Sequence, residues 1–143
     1  MPDEARTEHR GAAWVILPTY NEAGNVEKMV DALGPKLTHD DDRILIVDDN
    51  SPDGTGQIAD RIATENPRVR VLHRKVKEGL GPAYIEGYRV ALEGGADLIV
   101  QMDADFSHDP AYLPRLLAAS ELADLVIGSR YVPGGGITEW GQV

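Results

Sequence analysis

Asp103-Ala104-Asp105 stands directly after the apolar run Leu98-Ile99-Val100-Gln101-Met102. Two carboxylates two residues apart at a strand end supply hard oxygen ligands, suited to Mg2+ or Mn2+ carrying phosphates. Three further groups follow apolar runs in the same way. Pro18-Thr19-Tyr20-Asn21-Glu22 follows Trp14 to Leu17. Tyr20 offers a ring face to a base or sugar, and Glu22 an acceptor for base or ribose donors. Asp48-Asp49-Asn50-Ser51 follows Ile44 to Val47, and one of its carboxylates can accept from base N–H groups. Arg130 follows Leu125-Val126-Ile127, and a guanidinium can grip phosphate in two-pronged fashion.

Each group also has a plain structural reading. Pro18 ends a strand, Tyr20 packs, and Asn21 with Glu22 opens a helix. Asp48 to Ser51 is a turn built from Asx side chains. An acidic pair occurs in many turns, and a lone arginine is usually solvated. His73 and His108 are not at metal-ligand spacing with the carboxylates and read as structural, although His108 lies near Asp105. Lys75-Val76-Lys77-Glu78-Gly79-Leu80-Gly81 has the charge to border an anion ahead of a helix. It lacks the lysine-serine ending of a P-loop and reads first as a mobile surface loop.

The elements that must position these groups alternate along the chain. Apolar runs at Trp14–Leu17, Ile44–Val47, Val69–Leu72, Leu98–Met102 and Leu125–Ile127 predict five strands. Between them, Val26, Met29, Val30 and Leu33 recur at helical spacing behind Asn21, with Gly34-Pro35 closing that helix. Ile58 and Ile62 share a face after the Ser51-Pro52-Asp53-Gly54-Thr55 loop. Ile85, Tyr88 and Leu92 share another over Leu80 to Leu92. Asp109-Pro110 starts a helix with Leu113, Leu116 and Leu117 on one side. Continuous apolar strands between amphipathic helices predict an α/β fold: a mostly parallel sheet covered on both faces, in three α/β/α layers. In such a sheet the strand ends share one edge, where α/β proteins bind ligands. Four independent coincidences at that edge are improbable, so the joint pattern outweighs its parts.

Composition narrows the partners. A net charge of −10 opposes nucleic acid or an anionic lipid surface as an electrostatic partner. With no cysteine, disulfides and thiolate metal sites are excluded. No apolar run approaches a membrane span. Residues 1–13 are polar, lack the apolar core of a signal peptide, and read as a flexible tail before one domain over 14–143. No element closes the structure after Arg130, so the chain reads as C-terminally incomplete.

Taken in order, P-T-Y-N-E, I-V-D-D-N-S-P-D-G-T, G-L-G-P-A, M-D-A-D-F-S-H-D-P and G-S-R-Y resemble the inverting glycosyltransferases of the Rossmann-like GT-A fold. The S-P-D-G-T and G-S-R-Y variants resemble the polyprenyl- and dolichyl-phosphate mannose synthase branch. The resemblance runs from about Trp14 to Trp140. It implies GDP-mannose as donor, a polyprenyl phosphate as acceptor and Mg2+ or Mn2+ as cofactor. It also implies work at the cytoplasmic face of a membrane, with a separate anchoring segment or subunit. By motif, Pro18, Tyr20 and Glu22 would line the guanosine pocket, completed by Val47 with Asp48 or Asp49. Asp103 and Ala104 would contact the donor, Asp105 with Asp103 would hold the metal, and Arg130 would meet the diphosphate or sugar. Asp103, Asp105 and Arg130 would carry the catalysis. The family commonly has Gln where this chain has Ser107, which puts Ser107 at the metal in place of a stronger ligand.

Three alternatives fit parts of the pattern. Another nucleotide sugar, such as UDP-glucose, would use the same pocket. A nucleotide-binding fragment without turnover would have the donor residues alone. A phospho-accepting receiver domain shares the strand-plus-acidic-pair opening at Ile44 to Asn50. It leaves Trp14 to Leu37 unexplained, however, and lacks the lysine expected after Ser129.

Overall fold

The computed structural model describes residues 10–129, 131 and 133. Four parallel strands form one sheet: β1 (Ala13–Thr19), β2 (Arg43–Asp48), β3 (Val69–His73) and β4 (Leu98–Gln101), in the order β3-β2-β1-β4. The helices between them are α1 (Val26–Leu33), α2 (Thr55–Glu65), α3 (Leu80–Glu93) and α4 (Leu113–Ala119). Short 3-10 turns, Gly34–Lys36 and Pro110–Tyr112, end α1 and lead into α4.

Strand alternation divides the core in two. Ala13, Val15 and Leu17 of β1 pack with Val26, Met29, Val30 and Leu33 of α1, with α2, and with Leu113 and Leu117 of α4. Trp14 and Ile16 point to the other face, where Leu45 and Val47 meet Ala83 and Ala91 of α3. The three expected layers are therefore present. The chain winds from β1 outward through β2 to β3, then returns to place β4 on the other side of β1. The reversal between β1 and β4 is the crevice where open α/β sheets take their ligands.

Several expectations are corrected. Pro18 does not stop β1: the strand continues to Thr19, with Pro18 opposite Val47 of β2. Pairing with β4 ends at Ile16, so Pro18 sits where no N–H is needed on that side. Asn21 does not cap α1; the helix starts after Asn25, and Asn21 has left-handed backbone, φ 56°. On α3 the buried face is Ala83, Gly87 and Ala91, while Ile85 and Leu92 are exposed. Small residues win because the helix lies close to the sheet, and a Cβ on Gly87 would stand 2.8 Å from Cγ2 of the fully buried Ile16. Leu125–Ile127 forms no strand; Leu125 and Ile127 are exposed, with no ladder partner among the described residues. An apolar run without a partner or a covering layer has nothing to hold it extended. β4 is therefore an edge strand among the described residues and only half-buried.

Of the tail expected over residues 1–13, residues 1–9 lie outside the described residues. At its end Arg10 is not tail-like: its guanidinium is buried against Asp42 at 2.6 and 2.8 Å, and β1 begins at Ala13. The close approach of α3 makes Gly87→Val a direct probe. Overpacking there is expected to destabilise the fold by about 1–3 kcal/mol, read as a lower urea midpoint at unchanged slope.

Candidate functional site

The loops after β1, β2 and β4 meet at one sheet edge, and each contains a non-glycine residue in left-handed backbone: Asn21 (φ 56°), Asn50 (φ 56°) and Phe106 (φ 65°). Such residues persist only where surrounding contacts over-determine them, and they concentrate at functional sites.

Those contacts are specific between the first two loops. Asn21, Glu22 and Ala23 donate their backbone N–H groups to Ser51 Oγ, Thr55 Oγ1 and Asp53 Oδ2, at 3.1, 3.0 and 3.1 Å. The S-P-D-G-T segment thus serves as a row of acceptors for the P-T-Y-N-E loop. As a result Tyr20 is held at the edge with its ring partly exposed, and the Glu22 carboxylate accepts from Asn25 Nδ2.

The two neighbouring aspartates divide by their partners. Asp48 is buried and accepts from the Thr19 hydroxyl, the Ser51 hydroxyl and the Ser51 N–H, so both its oxygens hold the loop in shape. Asp49 accepts from Arg74 Nη1 at 3.0 Å through Oδ1 alone. No fully buried side-chain polar atom lacks a partner among the described residues, so its Oδ2 is not sealed in the core. Pro18 and Val47 form the paired strand floor beneath these loops.

Arg74 is the residue that sequence reasoning missed. Its side chain is only 7% exposed, and it donates to Asp49, Glu78 and Glu86. Burial would lower its pKa, but the Asp49 and Glu86 carboxylates outweigh that and raise it, so it stays charged. The signal was its place directly after β3, at the same edge as the other ligand groups. The Lys75–Gly81 loop is also less free than its composition implied. Asn50 Nδ2 donates to Lys75 O at 3.2 Å, and Lys77 Nζ lies 4.0 Å above the centre of the Tyr20 ring.

Across the crevice, Asp103 accepts from the Tyr84 hydroxyl at 3.0 Å, and its backbone N–H donates to His108 Nδ1. Burial, then the Asp103 charge, push the Tyr84 pKa far up, so the hydroxyl remains a donor. His108 is thus a scaffold for the acidic loop, as its spacing suggested. Ala104 is buried beneath the two carboxylates. Asp105 accepts from the Ser107 N–H at 2.9 Å. The Ser107 side chain and N–H together hold its pKa below the usual carboxylate range. Ser107 therefore orients Asp105. Arg130 lies outside the described residues.

The donor set fits a hard divalent ion. Among the described residues no group of three or more His, Asp or Glu side chains is placed to hold a metal ion, so they form no all-protein cage. Two oxygen-donor carboxylates are what Mg2+ or Mn2+ needs when substrate phosphates and water complete its shell. Helix α3 joins the two halves, with Tyr84 reaching Asp103 and Glu86 reaching Arg74 and, through it, Asp49. No helix among the described residues is long and apolar enough to cross a membrane.

A family model described as glycosyl transferase family 2 matches residues 14–143. An undecaprenyl-phosphate mannosyltransferase of Micrococcus luteus is 54% identical over 125 residues, covering 87% of this chain and 51% of that protein. A polyprenol monophosphomannose synthase of Mycolicibacterium smegmatis is 50% identical, covering 88% of this chain and 48% of that one. The chain thus spans about half the length of the curated relatives it matches. Among solved structures, a mannosyltransferase from Pyrobaculum calidifontis in complex with GDP-Man and Mn2+ superimposes with a TM-score of 0.69. It is 25% identical and covers 80% of this chain and 33% of its own.

Proposed function

The chain belongs to glycosyl transferase family 2, with the GT-A fold, and from that premise we propose that it carries the nucleotide-sugar site of a polyprenyl-phosphate mannosyltransferase. The observation that carries the reading is that the segments with Tyr20, Asp49 and Asp103–Asp105 leave the adjacent parallel strands β1, β2 and β4 at one sheet edge. One side offers an aromatic face and a carboxylate acceptor, which suit a guanine base with its N–H donors. The other offers ionised oxygens, which suit a diphosphate held through a cation.

In this reading Tyr20 stacks the base, Glu22 and Asp49 accept from base or ribose donors, and Asp48 keeps the loop in shape. Pro18 and Val47 close the floor of the pocket. Asp103 and Ala104 border the sugar and diphosphate, and Asp105, with Asp103, holds Mg2+ or Mn2+. When bound, that ion supplies positive charge where the leaving diphosphate gathers negative charge. Arg130, after α4 in the sequence, adds a second cation. The acceptor phosphate is already largely anionic at neutral pH, with a second pKa of about 6. It attacks the anomeric carbon from the face opposite the diphosphate, the C–O bond to that diphosphate breaks, and the configuration inverts. No strong general base is required, and the chain's contribution is positioning and electrostatics. In this reading the acceptor is a membrane lipid, and the reaction runs at the cytoplasmic face of its membrane.

Calorimetric titration with GDP, UDP and their mannose and glucose conjugates, with and without Mn2+, tests the reading. GDP and GDP-mannose are expected to bind, more tightly with Mn2+, and the uridine series more weakly. A preference for uridine nucleotides would move the assignment to another sugar donor. No binding of any nucleotide would remove it.

A further inference from the structure

Resting on the reading of Tyr20 as the base-stacking face, we infer that Lys77 is an exchangeable occupant of that face, displaced by the base and then delivered to the diphosphate. Lys77 Nζ sits 4.0 Å above the ring centre, on the surface a base would cover. Its bonding differs from that of its basic neighbour. The Arg74 guanidinium is consumed by Asp49, Glu78 and Glu86, whereas the described residues give the Lys77 ammonium only the π-face of Tyr20. A cation over an exposed ring is weakly held, and base stacking on an aromatic side chain is the stronger contact.

The loop is built for such an exchange. Its start is fixed: the Arg74 N–H donates to Asp48 O at 2.8 Å, and Asn50 Nδ2 donates to Lys75 O. Its end joins α3 through Gly79, whose φ of +98° is a conformation open to glycine. Between those anchors Val76 and Lys77 are exposed, so the side chain can swing without disturbing the Asp49–Arg74 pair. In a chain of net charge −10, a released ammonium beside the pocket is what an incoming diphosphate needs.

The inference separates nucleoside from nucleotide. Binding of guanosine and of GDP to wild type, Lys77→Met and Lys77→Arg is measured by calorimetry with EDTA present, so that no cation masks the lysine. Lys77→Met is expected to weaken GDP by about threefold to fivefold, the size of one exposed charge contact. Guanosine, with no phosphate to lose and one competitor fewer, is expected to bind equally well or more tightly. Lys77→Arg is expected to restore GDP. In NMR spectra of the free protein, the Lys77 ε-methylene is expected upfield, shifted by the Tyr20 ring, and returns toward its ordinary position on adding either ligand. Equal changes for guanosine and GDP in Lys77→Met, or no change in either, would overturn the exchange. If wild type binds neither guanosine nor GDP, the nucleotide reading itself fails.

Discussion

Asp105→Ala is expected to abolish metal-dependent mannosyl transfer in the full-length protein. In this chain it is expected to weaken Mn2+ binding by more than the roughly 10–100-fold typical of losing an outer-shell partner. The surroundings of Asp105 favour its ionised form, because Ser107 donates to it and holds its pKa below the usual carboxylate range. Asp103 is tied to Tyr84 and His108 and so has less freedom to follow a cation. The order of effects follows: Asp105→Ala largest, Asp103→Asn next, and Ser107→Ala smallest, since it loosens the ligand without deleting it. Mn2+ titration in the presence of GDP reads the binding, and radiolabelled mannose transfer reads the chemistry. Wild-type rates in Asp105→Ala would sink the proposed function, whatever the binding results.

The largest stability loss is expected at Asp42, far from that edge. Asp42 is fully buried, pairs with both terminal nitrogens of Arg10, and accepts from the N–H groups of Ala13 and His39. Burial pushes its pKa up, but Arg10 and the two N–H groups outweigh that and hold it below its ordinary value. Asp42→Ala leaves a buried guanidinium without its carboxylate, holding only the Gly11 carbonyl, and two N–H groups without partners, at about 3–5 kcal/mol. Asp42→Asn keeps part of the hydrogen bonding and is expected to cost less. Replacing both partners, as in Arg10→Met with Asp42→Leu, is expected to recover much of the loss. Because the folded pKa is depressed, the pair's contribution is complete above the unfolded pKa of about 3.9. It is lost as pH falls below that toward the folded value. Urea unfolding at neutral and acidic pH reads this directly: wild type and Asp42→Asn should converge in acid. Parallel curves at all pH values would contradict it.

The strands, the three layers and the shared edge were legible because each rests on local pattern: apolar runs, helical spacing and caps. Asp109 shows this, accepting from the Ala111 N–H as its sequence context predicts. What could not be read were facts set by distant partners. The face of α3 was misjudged because apolar residues were sought where small ones were needed for close packing against Ile16. Leu125–Ile127 has strand composition, but a strand also needs a neighbour. The roles of Asp48 and Asp49 depend on Thr19, Ser51 and Arg74, and two adjacent identical residues carry no signal of that division. Arg74 escaped because its three carboxylate partners come from β2, its own loop and α3, and no local spacing joins them.

The strand order has a consequence for assembly in time. β1 meets β2 across roughly 30 residues of chain but meets β4 across roughly 85, and the longer closure costs roughly 1 kcal/mol more in chain entropy. The side of the crevice that carries Tyr20 and Asp49, on β1 and β2, can therefore consolidate before the acidic strand arrives. Among the described residues β4 is a half-buried edge strand paired with β1, so it is released more easily than the central strands β1 and β2. A partly unfolded population would keep its aromatic and carboxylate contacts for a base while losing its hold on a cation. Order of formation thus makes the Asp103–Asp105 end of the crevice later to form than the Tyr20 and Asp49 end.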